Sequence, residues 1–391
     1  MSVPSALHRR IRAFVGVQAC LSTLVGFGPV LVYAESGLAA TVHYTFLMLT
    51  ATMAGTVLAY ASSALWRVDA RRMACAALLV PLLGLGFAQG RPMVLALAVG
   101  GFLGLSWGAR HWLELGLLAD AERDDHAAHC TVIGVVAGLL STGAASAWLT
   151  WAGDGAQATQ RLYLGFAAVA ALGLVGVAPR LPAGASLRLQ APLALLRQPA
   201  YRACLPLYAL ESGLFGVGLV LGASGAIGAL GSVSHYGWVA TLATLVGAFA
   251  LYRLRHRRHQ ANRDRAMALA CAGIAAAQAL LGLSAWLPAL YVLHLMLQAG
   301  VAPFWMASEQ VLNQRTLDIH GALADRIVVR ESTLWLFRVT LLALFWGVMH
   351  DASPAALLQL GAGLMVTATV LEYLIGRAWL SHQGVATQPA A

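Results

Sequence analysis

Residues 41–65 read TVHYTFLMLTATMAGTVLAYASSAL, and residues 66–72, WRVDARR, close them off. The first stretch contains no Asp, Glu, Lys or Arg. It is long enough to cross a bilayer, whose hydrocarbon core of about 30 Å takes about 20 helical residues. The closing stretch carries Arg67, Arg71 and Arg72, and a further apolar run, 73–89, follows it. Apolar run, arginine-rich connection, apolar run is how a chain that crosses a membrane and returns is written.

The same alternation continues along the chain. It predicts twelve spans, at 12–34, 41–65, 73–89, 92–119, 130–152, 160–178, 203–223, 234–253, 266–285, 288–313, 331–349 and 354–379. Composition agrees: 59% of residues are hydrophobic and 10% charged, against about 25% charged in a soluble domain. So little charge cannot cover a water-facing surface. The run after Met1–Arg12 is long enough to stay as a span, so no cleavable leader is expected.

All 25 basic residues are Arg, a bias of GC-rich bacterial genomes. A net charge of +9 raises the question of nucleic acid, but the positions answer it. With the N-terminus inside, only Arg91 and Arg161 fall in or at the edge of outer loops, and only Arg110 and Arg338 fall deep within spans. The rest line the inner side, as the positive-inside rule requires. The expected location is a bacterial inner membrane, both termini cytoplasmic, with lipid rather than nucleic acid as partner. Arg253–Arg265 is read as a headgroup contact.

The longest connection, 179–202, sits at the midpoint. It carries Pro179, Pro182, Pro192 and Pro199, with Leu187, Leu189, Leu193, Leu195 and Leu196 patterned for a short surface helix. It divides an N-terminal six-helix bundle, 1–178, from a C-terminal one, 203–380, with a tail at 381–391. The halves are related. His43-Tyr44 recurs as His235-Tyr236, and at the same offset of 192 Ala51, Thr52, Gly55 and Tyr60 meet Ala243, Thr244, Gly247 and Tyr252. Glu114-x-x-Leu117 matches Glu309-x-x-Leu312 loosely. Such duplication is what carriers show. Glu35-Ser36-Gly37-Leu38 also matches Glu211-Ser212-Gly213-Leu214, but out of register.

This all-α architecture, with its basic linker ending Leu195-Leu196-Arg197-Gln198-Pro199-Ala200-Tyr201-Arg202, resembles the major facilitator superfamily of secondary transporters. The family's loop motif between spans two and three, G-x-x-x-D-R-x-G-R-R, keeps only Arg71 and Arg72 here. The Gly-Pro pair of the fifth-span antiporter motif is absent; Gly134, Gly138 and Gly143 remain and suit close packing. The resemblance implies a carrier with alternating access, not an enzyme.

Charges inside spans cost about 2.5–3.5 kcal/mol each at the centre, so those present face a cavity or a partner. Span four holds Arg110, His111 and Glu114. Arg110 and Glu114 are four apart and share a helix face; they form a solute-anion and proton site or a structural ion pair. Glu211, in span seven with no basic residue within a turn, suits proton coupling. Glu309 and Arg338 mirror Glu114 and Arg110 in the second half, with Trp305 and Trp335 beside the path. The reading is therefore solute contact by Arg110, His111, Trp305 and Arg338, and coupling or gating by Glu114, Glu211 and Glu309.

Glu372, near Arg377, is read as snorkelling to the inner face, and His43 and His235 as interface anchors. His126-x-x-His129 is read as a solvated loop without metal. Gly26, Gly28 and Pro29, and Gly222 to Gly231, are read as helix weak points. The five cysteines include no CxxC pair, so neither disulfide nor zinc is expected. No phosphate-cradling loop is present, and no cofactor is expected. The function these features predict is a proton-coupled carrier of a small organic solute, leaning to efflux and acting as a monomer. An importer of a metal-chelate or nutrient stands beside it. A membrane enzyme using His111 and Glu114, or a non-transporting receptor, forms the remaining class.

Overall fold

The computed structural model describes residues 6–66, 68–118, 120–184, 188–255, 263–317 and 319–386. They form α1 (Ala6–Trp66), α2 (Ala70–Gly84), α3 (Pro92–Leu117), α4 (Asp120–Ala152), α5 (Ala156–Gly176), α6 (Pro192–Leu195) and α7 (Pro199–Ser212). The rest are α8 (Phe215–Leu230), α9 (Val233–Arg255), α10 (Arg263–Leu283), α11 (Ala289–Leu317), α12 (Leu323–Met349) and α13 (Pro354–Ala386). There is no strand among the described residues. Helices are the expected answer in lipid, where no water is available to satisfy backbone groups. Among the described residues nine helices are long and apolar enough to cross a membrane, and Met267–Leu283 and Ala289–Trp305 are shorter apolar helices.

Several boundaries move from the sequence reading. The connection expected between 34 and 41 is a single residue: α1 turns at Gly37, φ 78°, and Thr41 Oγ1 re-caps the Gly37 carbonyl at 2.9 Å. That left-handed φ is open to Gly at little cost. Span seven is broken at Gly213-Leu214 rather than at Gly222–Gly228, which lie inside unbroken α8. A Cβ on Gly213 would run into the Ala209 carbonyl and Leu341, so the chain is forced close to α12 there. Gly231, φ 72°, caps α8. α12 begins at Leu323, not 331, and α4 begins at Asp120, not 130, so His126 and His129 are helical rather than in a loop. α13 runs to Ala386, beyond the expected start of the tail.

Gly26 and Gly28 are not weak points, because α1 continues through Pro29. They make room for two tyrosines. A Cβ on Gly28 would collide with the Tyr44 hydroxyl, and one on Gly26 would sit 3.4 Å from that of Tyr236. The His-Tyr repeat thus places one ring from each half against the same stretch, while His43 and His235 stay exposed. The residues after Tyr44 pack on α3 through Gly100 and Gly104, whose Cβ atoms would strike the Met48 and Thr52 carbonyls. Thr56 Oγ1 and Tyr60 Oη donate to the Gly104 and Gly108 carbonyls at 3.0 and 2.9 Å. The paired glycines sit in similar settings: a Cβ on Gly55 would lie 3.3 Å from the Gly101 carbonyl of α3, and one on Gly247 3.0 Å from the Ala299 carbonyl of α11. Gly134 and Gly138, expected to pack closely, face open space; Gly143 alone of the three meets a neighbour, Thr241.

α1 packs on α8 and α12, and α4 on α9. The polar contacts of this seam gather at the end carrying Gly37. Trp238 Nε1 donates to Thr150 Oγ1 at 2.9 Å, Ser234 N and Oγ donate to Asp154 Oδ2 at 3.3 and 3.2 Å, and Gly237 is pressed on Ser146 and Phe27. Trp335 Nε1 reaches Thr50 Oγ1 at 3.3 Å nearer the middle.

At the opposite end, the linker is tied to both sides. Arg71 Nε donates to the Leu181 carbonyl at 2.7 Å, and Ala70 N to that of Ala183 at 3.0 Å. The buried Asp325 carboxylate accepts from Gln190 N and Ala191 N, both at 2.9 Å. The surface helix expected here is the single turn α6, which buries Leu195 and leaves Leu193 exposed. Truncating Asp325 leaves two backbone donors without their charged acceptor. Asp325→Ala should therefore cost about 2–3 kcal/mol, seen as a lower unfolding temperature in detergent, with Asp325→Asn retaining part of the loss.

Candidate functional site

α3 presents the charges. Arg110 Nε donates to Glu114 Oε1 at 2.8 Å, one helical turn away. The guanidinium lies 4.8 Å from the Trp107 ring centroid, and the His111 ring lies tilted 5.7 Å from the same indole. Cation–π contact and ion pair together hold Arg110 in place. The two side chains remain 19% and 21% exposed.

α4 closes on the other side of Glu114. His126 is 2% exposed, with Nε2 3.7 Å from Glu114 Oε1 and 3.1 Å from Cys130 Sγ. The solvated loop read from the sequence is therefore wrong for His126: the helix starts early and turns this side chain inward.

α12 supplies a second pair. Arg330 Nη1 donates to Glu331 Oε1 at 2.9 Å, and Arg330 also lies 5.9 Å from the Tyr208 ring centroid. The charges of Glu331 and Arg330 reach His111, and Glu331 reaches Tyr60. Further along α12, Arg338 Nε donates to Ser212 Oγ at 2.8 Å and its guanidinium stands 5.2 Å from the Phe215 ring centroid. Arg338 thereby spans the Gly213-Leu214 break between α7 and α8. Gln18 of α1 adds a buried amide, bonded to Ser106 Oγ at 3.2 Å.

Of the residues singled out from sequence, Arg110, His111 and Glu114 are brought together on one face, and Arg338 is held at the helix break. Trp305 is half-buried on α11. The side chains of Glu211 and Glu309 lie outside the described residues. Glu372 does not snorkel: it is 4% exposed and within electrostatic reach of Cys271, because α13 packs on α10. Sequence reasoning passed over Glu331, placed His126 in a loop, and gave Cys130 and Ser212 no role. Glu331 fell on an assumed span boundary. The i, i+4 spacing of His126 and Cys130 was the signal that could have found that pair.

No protein-family model and no curated protein matches this sequence. Solved structures do match in shape. The nucleoside transporter NupG is 13% identical with a TM-score of 0.67 over 95% of this chain and 99% of that one. A POT family transporter in complex with 5-aminolevulinic acid is 11% identical, TM-score 0.65, over 94% and 96%. The human organic anion transporter MFSD10 is 18% identical, TM-score 0.61, over 96% and 100%. The fold is that of a multi-pass α-helical membrane protein. More narrowly, it is the major facilitator fold.

Proposed function

We propose that this chain is a proton-coupled secondary transporter of a small organic solute carrying negative charge, working by alternating access and leaning to export from a bacterial inner membrane. Counting α1 as two crossings and α7–α8 as one gives twelve, in bundles 1–178 and 203–380 joined by the linker 179–202. The observation that carries the reading is the part-exposed Arg110–Glu114 pair of α3, whose neighbour His111 is reached by the charges of the Arg330–Glu331 pair of α12. A charged pair kept at cost in a span of each half suits a solute site at their interface. The seam at the Gly37 end supports a state closed to the outside. Arg9, Arg10 and Arg180 around the cleft between α1 and α5 suit anionic lipid headgroups.

The ligands of these neighbours, a nucleoside, 5-aminolevulinic acid and organic anions, define the first test panel. In proteoliposomes an imposed pH gradient should drive flux of at least one of them, and a protonophore should abolish it. Glu114→Gln should uncouple that flux from the gradient, and Glu211→Gln is the parallel test for span seven. Flux indifferent to the gradient would sink proton coupling.

A further inference from the structure

Three donors of different chemistry converge where α3 meets α4. A Glu114 carboxylate oxygen, a His126 imidazole nitrogen and the Cys130 thiol all lie within 4.8 Å of one another. His126 and Cys130 are one turn apart on α4, so a single helix presents both, and α3 supplies the third from across the joint. His126 and Cys130 are each 2% exposed, and His126 Nδ1 has no hydrogen-bond partner among the described residues. The imidazole turns Nε2 toward both the thiol and the carboxylate, so all three donors face one point, while Nδ1, on the far edge of the ring, takes no part.

We infer that Glu114, His126 and Cys130 form a binding site for a soft divalent cation, Zn²⁺ foremost. Thiolate, imidazole and carboxylate are the three ligand types that zinc accepts together, with bonds of about 2.0–2.3 Å. The 3.1 Å and 3.7 Å separations seen here need only small side-chain shifts to surround one ion. Binding converts the Cys130 thiol to thiolate and releases one proton to solvent, leaving thiolate and carboxylate to balance the two charges of the ion. The bond from Arg110 to Glu114 does not block the site, because a carboxylate has two oxygens and about four lone-pair positions. Three protein ligands leave one position open, the arrangement of an exchangeable rather than a purely structural site. His8 of α1 stands next in line, its ring centroid 5.3 Å from that of His126. The ion would clamp α4 to α3 beside Arg110. The site shares Glu114 with the transport reading, but it is tested by binding, so the two can fail separately.

The full chain, purified in detergent, is titrated with Zn²⁺ against a chromophoric chelator and separately with Co²⁺. One ion per chain is expected, with a cobalt spectrum showing thiolate charge transfer. Cys130→Ser and His126→Ala should each weaken Zn²⁺ by about tenfold or more, and Cys130→Ser should erase the charge-transfer band. Cys271→Ser should change neither. Should Cys130→Ser fail to fold, alkylation of Cys130 in the unaltered chain, mapped by mass spectrometry, gives the answer: Zn²⁺ should slow it about tenfold. Zn²⁺ affinity unchanged in both variants, or alkylation of Cys130 at the same rate with and without Zn²⁺, overturns the site.

Discussion

Replacing Arg110 by Gln is expected to lower both stability and transport, and adding Glu114→Gln should restore the first without the second. The bond joining the two side chains is short, 2.8 Å, and each is about a fifth exposed. Removing one member of a fully buried pair costs about 3–5 kcal/mol because its partner is left charged and alone. Exposure and screening bring the expectation here to about 1–2 kcal/mol for either single change. The double variant has no charge left to strand. Its unfolding temperature should return close to that of the unaltered chain, which is how coupled neighbours behave in a double-mutant cycle. Solute flux should follow another course. If Arg110 contacts the solute's negative charge, the double variant should still transport about tenfold slower or worse, a loss of about 1.4 kcal/mol or more. Unfolding temperature and flux in the same preparations decide it. A double variant that is stable and transports normally would reduce the pair to a structural tie. The same comparison at Arg330 and Glu331 asks whether the second half carries an equivalent contact.

The membrane character of the fold was legible because lipid imposes a coarse requirement: apolar length, broken by charge. The stretch at 41–65 and its arginine-rich close sufficed to read α1 and α2. What eluded the sequence was local. Gly37 does in one residue what a loop was expected to do, and only its φ of 78° reveals it. Gly26 and Gly28 looked like flexibility because sequence shows the missing side chain but not the Tyr44 and Tyr236 rings that fill the space. Arg110 and Glu114 were legible because i, i+4 spacing dictates a shared face. His126 and Cys130 have the same spacing, yet they follow a polar, acidic stretch that reads as a loop, and their partner Glu114 lies on another helix. Arg71 was noted as the remnant of a motif; its contact with the Leu181 carbonyl of the linker could be seen only once the chain was folded.

Gly237→Leu should hold the seam open at the Gly37 end and stop the cycle. Gly237 sits on α9 where a Cβ would collide with Ser146 Oγ and lie 2.9 Å from Phe27. Both neighbours are side chains of the first half, the Ser146 hydroxyl held on the Thr142 carbonyl at 2.6 Å and the Phe27 ring against Tyr236, so a leucine would have to displace both. The adjoining bonds, Trp238 to Thr150 and Ser234 to Asp154, depend on the same approach of α9 to α4. Overpacking of this kind typically costs about 1–3 kcal/mol. Here the cost falls only on the state in which the seam is closed, because separating the halves relieves it. A bias of about 2.7 kcal/mol between two states changes their ratio about a hundredfold. The seam-closed state should therefore become the minor one, while the unfolding temperature falls little. Ser224, 3% exposed beside Tyr33 in the closed seam, offers the readout. With Ser224→Cys as background, a membrane-impermeant maleimide added outside should label the Gly237→Leu chain about tenfold faster or more. Flux should fall in the same proportion. Fast labelling without Gly237→Leu would mean that the seam opens readily on its own. Unchanged labelling with it would mean that α9 and α4 do not separate as one gate.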